Sequence, residues 1–324
     1  MAKRLTKNLI FSVLALIAIF IVNFFLPRLM PGDPLGNLIG ADDSTMSQEE
    51  YDALYHEMGL DKSLGEQFAD YVKNLFQGKL GYSYHRGRDV SELLAEKIPR
   101  TLQITIPAWI LSAVAAYFFG VIAGYKKSRF SDVAITGGMV LVDAIPSFLL
   151  AIVAVILFAF EWKILPSGAL NSVFVADSAW ARIADRIEHL ILPVATLAIA
   201  GTPNKYLLVR NSVASITDMP YIAYAKAKGL CGTRIRHVHA FPNVSGAFIS
   251  MLGTSFGHMI AGSIVIEKVF SIDGVGMLVN RAIYDKDFPT LQAALLVIAL
   301  SVLISNFVAD AICILADASQ RRAK

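Results

Sequence analysis

Charge is what this sequence has least of. Of 324 residues, 17% are Asp, Glu, Lys or Arg, whereas 55% are hydrophobic and the mean hydropathy is +0.56. Soluble globular domains average about 25% charged and about 45–50% apolar residues, so this deficit argues against a water-solvated domain and for a chain that meets lipid. The net charge of +3 is too small to imply a nucleic-acid partner. Cysteine is nearly missing too. Cys231 falls in a polar loop and Cys313 near the end of an apolar run, which argues against a disulfide framework. No G-x-x-x-x-G-K-[ST] stretch occurs, so no ATP hydrolysis is expected on this chain, and no H-E-x-x-H or nucleophile motif supports an enzyme. His237-x-His239 and the lone His258 lack companions at metal-ligand spacing, so neither a metal site nor a bound cofactor is expected.

What is present is long apolar runs. Lys3, Arg4 and Lys7 precede a first run from Asn8 to Leu26, long enough at about 1.5 Å per residue to cross the hydrocarbon layer. A cleaved signal peptide has the same form, but residues 27–31 (PRLMP) offer no small-residue cleavage site, so the span is expected to be retained. Further runs cover Leu102–Gly124, Val133–Phe160, His189–Val209, Ala247–Val269 and Thr290–Leu315. Residues 31–100 are polar and carry 13 acidic against seven basic residues, as expected of an external segment, with helix signals at Ser47–Leu60 and Leu64–Leu75. Lys126, Lys127 and Arg129 outnumber Asp132 after the second run, and Arg321, Arg322 and Lys324 close the chain. Six spans with cytoplasmic N- and C-termini satisfy the positive-inside rule throughout.

The most informative stretch lies between the fourth and fifth runs, from Val209 to Asn243. Counting Lys205 just upstream, it sets Arg210, Lys226, Lys228, Arg234 and Arg236 against Asp218 alone, which assigns it to the cytoplasm. Pro220 suits the first turn of a helix and Gly229 the left-handed residue past its end. Between them Tyr221, Tyr224, Ala225 and Lys228 share a helical face, and Ala223 and Ala227 form a smooth second one. Two turns are not stable alone in water, so this helix must lean on its own protein or on a partner. The plain alternative is an ordinary surface helix.

This stretch resembles the E-A-A loop of binding-protein-dependent ABC importer permeases. Ala223-Tyr224-Ala225 occupy the E-A-A positions, Gly229 follows at the right distance, and residues 239–242 (HAFP) stand where I-x-L-P is expected. The leading Glu is absent, as in the peptide and nickel branch, whose Y-V-x-x-A-R-A-K-G-L matches Tyr221-Ile222 and residues 225–230 (AKAKGL), with His239 and Asn243 fitting its end. Residues 31–34 (PGDP), 59–61 (GLD) and 81–83 (GYS), the stretch Glu267…Gly274-x-Gly276, and residues 285–289 (DKDFP) are similar to other parts of that family. The tail at 317–321 (DASQR) departs from its usual D-P-R.

The resemblance implies an all-α polytopic membrane protein of the ABC type I importer permease fold. It divides as an N-terminal transmembrane helix (1–30), an external soluble segment (31–101), and a five-helix core (102–324) with a coupling loop at 210–243. It further implies a second homologous permease subunit, two cytoplasmic ATP-binding subunits carrying ATP and Mg, and an extracytoplasmic solute-binding protein in the cytoplasmic (inner) membrane. Tyr221, Tyr224, Ala225, Lys228, Gly229 and Pro242 are then the coupling residues, and Glu267, Gly274 and Gly276 belong to the external gate or binding-protein contact. Asp143, before the helix-breaking Pro146, and His258 are translocation-path candidates, because ionisable groups at membrane depth face a bundle interior or a water-filled path; the alternatives are an Asp satisfied by a neighbouring helix and an interhelical hydrogen-bonded His, the latter favoured for His258. Peptide cargo is expected, a nickel or metal chelate being the alternative within the family. An ATP-independent channel or secondary transporter using Asp143 is the alternative outside it.

Overall fold

A computed structural model describes residues 2–25, 27–29, 35, 47–57, 59–83, 85–174 and 178–322. Among these, structure is helical apart from one short hairpin, β1 (Tyr82–Ser83) paired antiparallel with β2 (Arg88–Asp89). The helices in chain order are α1 (Ala2–Phe25), α2 (Gln48–Glu57), α3 (Leu64–Phe76), α4 (Val90–Tyr125), α5 (Phe130–Ala144), α6 (Ser147–Val155), α7 (Ala179–Ala200), α8 (Thr202–Ile216), α9 (Pro220–Ala227), α10 (Gly232–Arg234), α11 (Ser245–Val269), α12 (Val275–Tyr284) and α13 (Phe288–Arg322).

The 36-residue α4 is the axis, about 54 Å long at 1.5 Å per residue. Four apolar clusters follow one another along it. Val90, Leu93 and Leu94 pack with α12 and the start of α13; Ile104 and Ala108 with α7 and Ile266 of α11; Ala116, Val121 and Ala123 with Tyr206, Val209 and Val213 of α8. At its last residue, Tyr125 joins the cluster beneath α9. Helices approach closely where glycine permits. A Cβ at Gly120 would lie 2.8 Å from Val209 Cβ, and one at Gly124 would lie 2.5 Å from Arg210 O. Gly253 and Gly257 of α11 meet α13 at Ala309 and Val302 in the same way, a Gly-x-x-x-Gly spacing that brings helix backbones together in lipid.

Among the described residues, three helices are long and apolar enough to cross a membrane: α4, α11 and α13 as far as Cys313. The expected single span over Val133–Phe160 is instead a broken one. The α5 helix stops at Ala144, and the chain turns by 94° before α6 and its π-helical continuation Ile156–Glu161. The cause is Pro146, which holds Ile145 extended and starts the next helix. The expected run His189–Val209 is likewise two helices, α7 and α8, meeting at Gly201. In α1 the apolar part of described length is Ile10–Phe25. It leaves Phe11, Leu14 and Ile17 exposed and is tied at its end, where Asn23 and Gln292 of α13 exchange side chain-to-backbone hydrogen bonds of 2.9 and 2.7 Å.

The polar segment folds as its caps direct. Ser47 and Glu50 bond reciprocally ahead of α2, and Ser63 and Glu66 form a capping box on α3. The hairpin anchors to α13 through Ser83, which donates to Asp287, the residue whose carboxylate also accepts from the Thr290 amide and hydroxyl at the start of that helix.

Candidate functional site

Between α8 and α11 the chain builds a small helix with a Pro start and a capped C-terminus. Pro220 occupies its first turn, where a missing N–H costs nothing. At its far end Gly229 takes φ +75°, its N–H donates to Lys226 O at 2.9 Å, and Leu230 N donates to Ala225 O at 3.4 Å. These two bonds are the Schellman pair, and Leu230 completes it by packing in the same cluster as Ala225. Ile222 and Ala225 are buried against Ile235, Ala240, Ile216 and Tyr125, so α9 is seated on the end of α4. Lys226 and Arg236 lie 5.7 and 5.6 Å from the Tyr125 ring, and Tyr117 bonds His237, fixing the returning segment to the same helix.

The outward face carries Tyr221, 41% exposed, and Tyr224, 63% exposed, with the Lys228 ammonium 4.6 Å from the Tyr224 ring. Ala225 does not share that face. It sits on the seam, about 40° round the helix from Tyr221 and about 60° from Ile222, and burial with Ile222 takes it inward. Gly229 supplies the stop, and exposed Pro242 lies in the 3₁₀ corner Phe241–Asn243 that returns the chain to α11.

A second feature is a cavity of about 390 Å³ between the start of α6, the α7–α8 corner and α11. Ser147, Asn204, Lys205, Thr254 and His258 supply its polar wall; Leu197, Met251 and Met259 supply apolar wall. His258 is thus on the cavity and Pro146 is adjacent to its Ser147 edge. Asp143 is not on the cavity. It lies exposed beside the 94° corner and, among the described residues, has no hydrogen-bond or ion-pair partner. Lys205, counted above with the loop charges, is instead only 1% exposed within the bundle. One turn on, the same helix sends Arg210 to the buried Asp132 of α5 in a two-point ion pair.

At the opposite end of α4, Glu267 is fully buried. Its carboxylate accepts from Thr101 Oγ1 at 2.7 Å, Ser263 Oγ at 3.2 Å and the Met277 N–H at 3.1 Å, so it caps the start of α12 from outside. Glycine is required next to it. A Cβ at Gly274 would come within 2.6 Å of both Glu267 Oε2 and Thr101 Oγ1, and one at Gly276 within 2.4 Å of Ile264 Cα. The three residues are therefore one buried joint holding α12. The surface beside the joint is charged: Asp273 pairs with Lys97, with Arg100 at 2.9 Å and with Arg281 at 3.5 Å. Burial opposes ionisation of Asp273, but the Lys97 hydrogen bond and charge, with Arg281 and Arg100, outweigh it and hold its carboxyl below the ordinary 3.8.

Tyr221, Tyr224 and Lys228 share one exposed face with Gly229 at its end, as their spacing implied, whereas the burial of Lys205 and the helix contacts were not read from the sequence. The Gly-x-x-x-Gly spacings at 120 and 253 were the legible signal for the latter.

A long axial helix, a broken apolar pair and a capped helix seated on the bundle end together define a polytopic membrane subunit of the ABC type I importer permease fold. One solved chain with this fold comes from the inward-facing MetNI methionine ABC transporter. It aligns with a TM-score of 0.56 at 15% identity, over 69% of this chain and 96% of that one. Residues 116–322 match the family described as binding-protein-dependent transport system inner membrane component, and residues 1–105 match its N-terminal companion. The chain belongs to this family. Its relatives include the oligopeptide transport system permease protein AppB of Bacillus subtilis, 27% identical over 98% of both chains. Another, from Brucella ovis, bears the name "Putative peptide permease protein" and is 30% identical over 91% of both chains.

Proposed function

We propose that this chain is the permease subunit of an ATP-driven peptide importer of the cytoplasmic membrane. The observation that carries the reading is the capped α9. Its Tyr221–Tyr224–Lys228 face is turned outward while Ile222 and Ala225 lock it to α4. The two aromatic side chains on its outer face add little to the packing that Ile222 and Ala225 supply beneath it. They suit a groove on a soluble ATPase subunit, and the names of the relatives favour peptide over nickel chelate as cargo.

In this reading α1, α4, the α5–α6 pair, the α7–α8 pair, α11 and α13 make six crossings, with α9 and both termini in the cytoplasm. The α2–α3 segment and α12 face the solute-binding protein, with Glu267, Gly274 and Gly276 shaping the support beneath that surface. A second homologous permease covers the open side of the cavity, lipid covers the rest, and two ATPase subunits bind ATP and Mg. Their closure moves α9; α9 moves α4 through Tyr125 and the α10–α11 return through Ile235 and Ala240, and the two permeases alternate access to the cavity.

Affinity purification of the tagged chain from native membranes in mild detergent, with mass spectrometry of what accompanies it, tests this. A second permease and soluble ATPase subunits are expected. Repeated recovery of the chain alone would favour the ATP-independent transporter or channel.

A further inference from the structure

Lys205 has a charge that the coupling role leaves unused. Its Nζ donates to Ser112 Oγ at 2.9 Å, to Gly201 O at 2.8 Å and, weakly, to the Met259 sulfur at 3.9 Å, the contact an incoming anion would replace. All three partners are neutral, and among the described residues no carboxylate forms an ion pair with it. An ammonium at membrane depth without a counter-charge is costly, and such groups mark the path of a charged ligand. The surroundings are built to hold it. The α7–α8 corner is a glycine, where a Cβ would stand 2.9 Å from Met259 Cε and only in ordinary contact, 3.5 Å, with Nζ, so Gly201 makes room for the Met259 side chain beside the ammonium.

The same cavity carries an acceptor. His258 Nδ1 lies 2.8 Å from Thr254 O, which can only accept, so the proton is on Nδ1 and the neutral ring keeps Nε2 as an acceptor. At about 390 Å³ the cavity is in the range of small-ligand sites, about 300–1,000 Å³.

We propose that this cavity receives a carboxylate of the transported ligand on Lys205, with His258 accepting from an N–H of the same molecule. The inference rests on the peptide reading above, and a carboxylate can come from a peptide's C-terminus or from an acidic side chain.

Uptake by the complete transporter, with its partner subunits and binding protein, tests it. Three labelled peptides of one length are compared: a free C-terminal acid, its C-terminal amide, and that amide carrying one Glu. Binding protein and ATPases are common to every arm, so the quantity read is the change in acid-to-amide ratio between wild type and Lys205→Met. The ratio is expected to fall roughly tenfold or more, the worth of a charge-assisted hydrogen bond, with amide uptake kept. The Glu-bearing amide follows the acid if a side-chain carboxylate serves, and follows the amide if only the terminus does.

Equal loss of acid and amide uptake, in a variant that still co-purifies with its partners, makes Lys205 a support for the corner and overturns the proposal. If Lys205→Met does not assemble, Gly262→Asp is read instead. A Cβ there meets open space on the cavity wall, and the carboxylate puts a negative charge on the wall that Lys205 shares. Acid uptake should then fall while amide uptake stays, and an unchanged ratio overturns the proposal. Wild type that imports none of the peptides, with ATP and all partners present, refutes the peptide reading itself.

Discussion

Asp273 is where single side chains at the α12 end do most to hold the surface together. It binds Lys97, Arg100 and Arg281, and Glu96 closes the group by accepting from Lys97 and Arg100 at 3.0 and 2.8 Å. Its carboxyl is held below 3.8, so the folded state favours the ionised form. The stability this adds is complete above about 3.8 and is lost as pH falls through the lowered value. Asp273→Asn should therefore cost about 1–3 kcal/mol at neutral pH, towards the low end because the side chain is 33% exposed. The gap in thermal midpoint between wild type and variant should narrow as pH falls below 3.8; a gap of constant size would refute the assignment. Nothing in the sequence pairs Asp273 with Lys97, because 176 residues separate them and only folding makes them neighbours. Glu267 was legible as a position within a pattern, but its role was not: a carboxylate followed by glycines reads as an exposed turn until its burial is known.

At the scale of elements, α9 was the most legible part of the chain, because its limits are written in local chemistry, Pro at the first turn and Gly at the left-handed stop. Its outward face was less so, since Ala225 lies between two faces and only packing decides which it joins. Tyr224→Asp alters an exposed side chain and should change stability by no more than about 0.5 kcal/mol. Gly229→Pro forces a φ near −65° where +75° is required and removes the N–H that donates to Lys226. Both should abolish ATP-driven uptake while the amount of chain in the membrane stays at the wild-type level. Full uptake in both would remove α9 from the coupling path. The α5–α6 corner was half legible. Pro146 announced an interruption, but hydropathy is blind to direction, so a bend of 94° and a straight span carry the same signal.

For the whole molecule, assembly depends on backbones that touch. Among the described glycines the tightest site is Gly253 of α11 against α13, where a Cβ would stand 2.0 Å from Ala309 Cβ. Gly253→Ile should push the two helices apart, and overpacking of this kind costs about 1–3 kcal/mol or more. The readout is the fraction of chain resisting protease in isolated membranes, expected to drop well below wild type; an unchanged fraction would mean that the pair has slack. The order of runs and the sign of each loop were readable because they are sums over many residues. The position of Lys205 was not, since a single cation at the edge of an apolar run reads as loop until the α7–α8 corner draws it inside.

The exposed corner at Ile145–Pro146 has a further consequence. It leaves Asp143 uncovered and unpaired among the described residues, and lipid is a poor solvent for a carboxylate. Whatever lies against that corner in the membrane must therefore be polar or wet rather than lipid alone, so the bend fixes one point on the bundle's side where water has to reach.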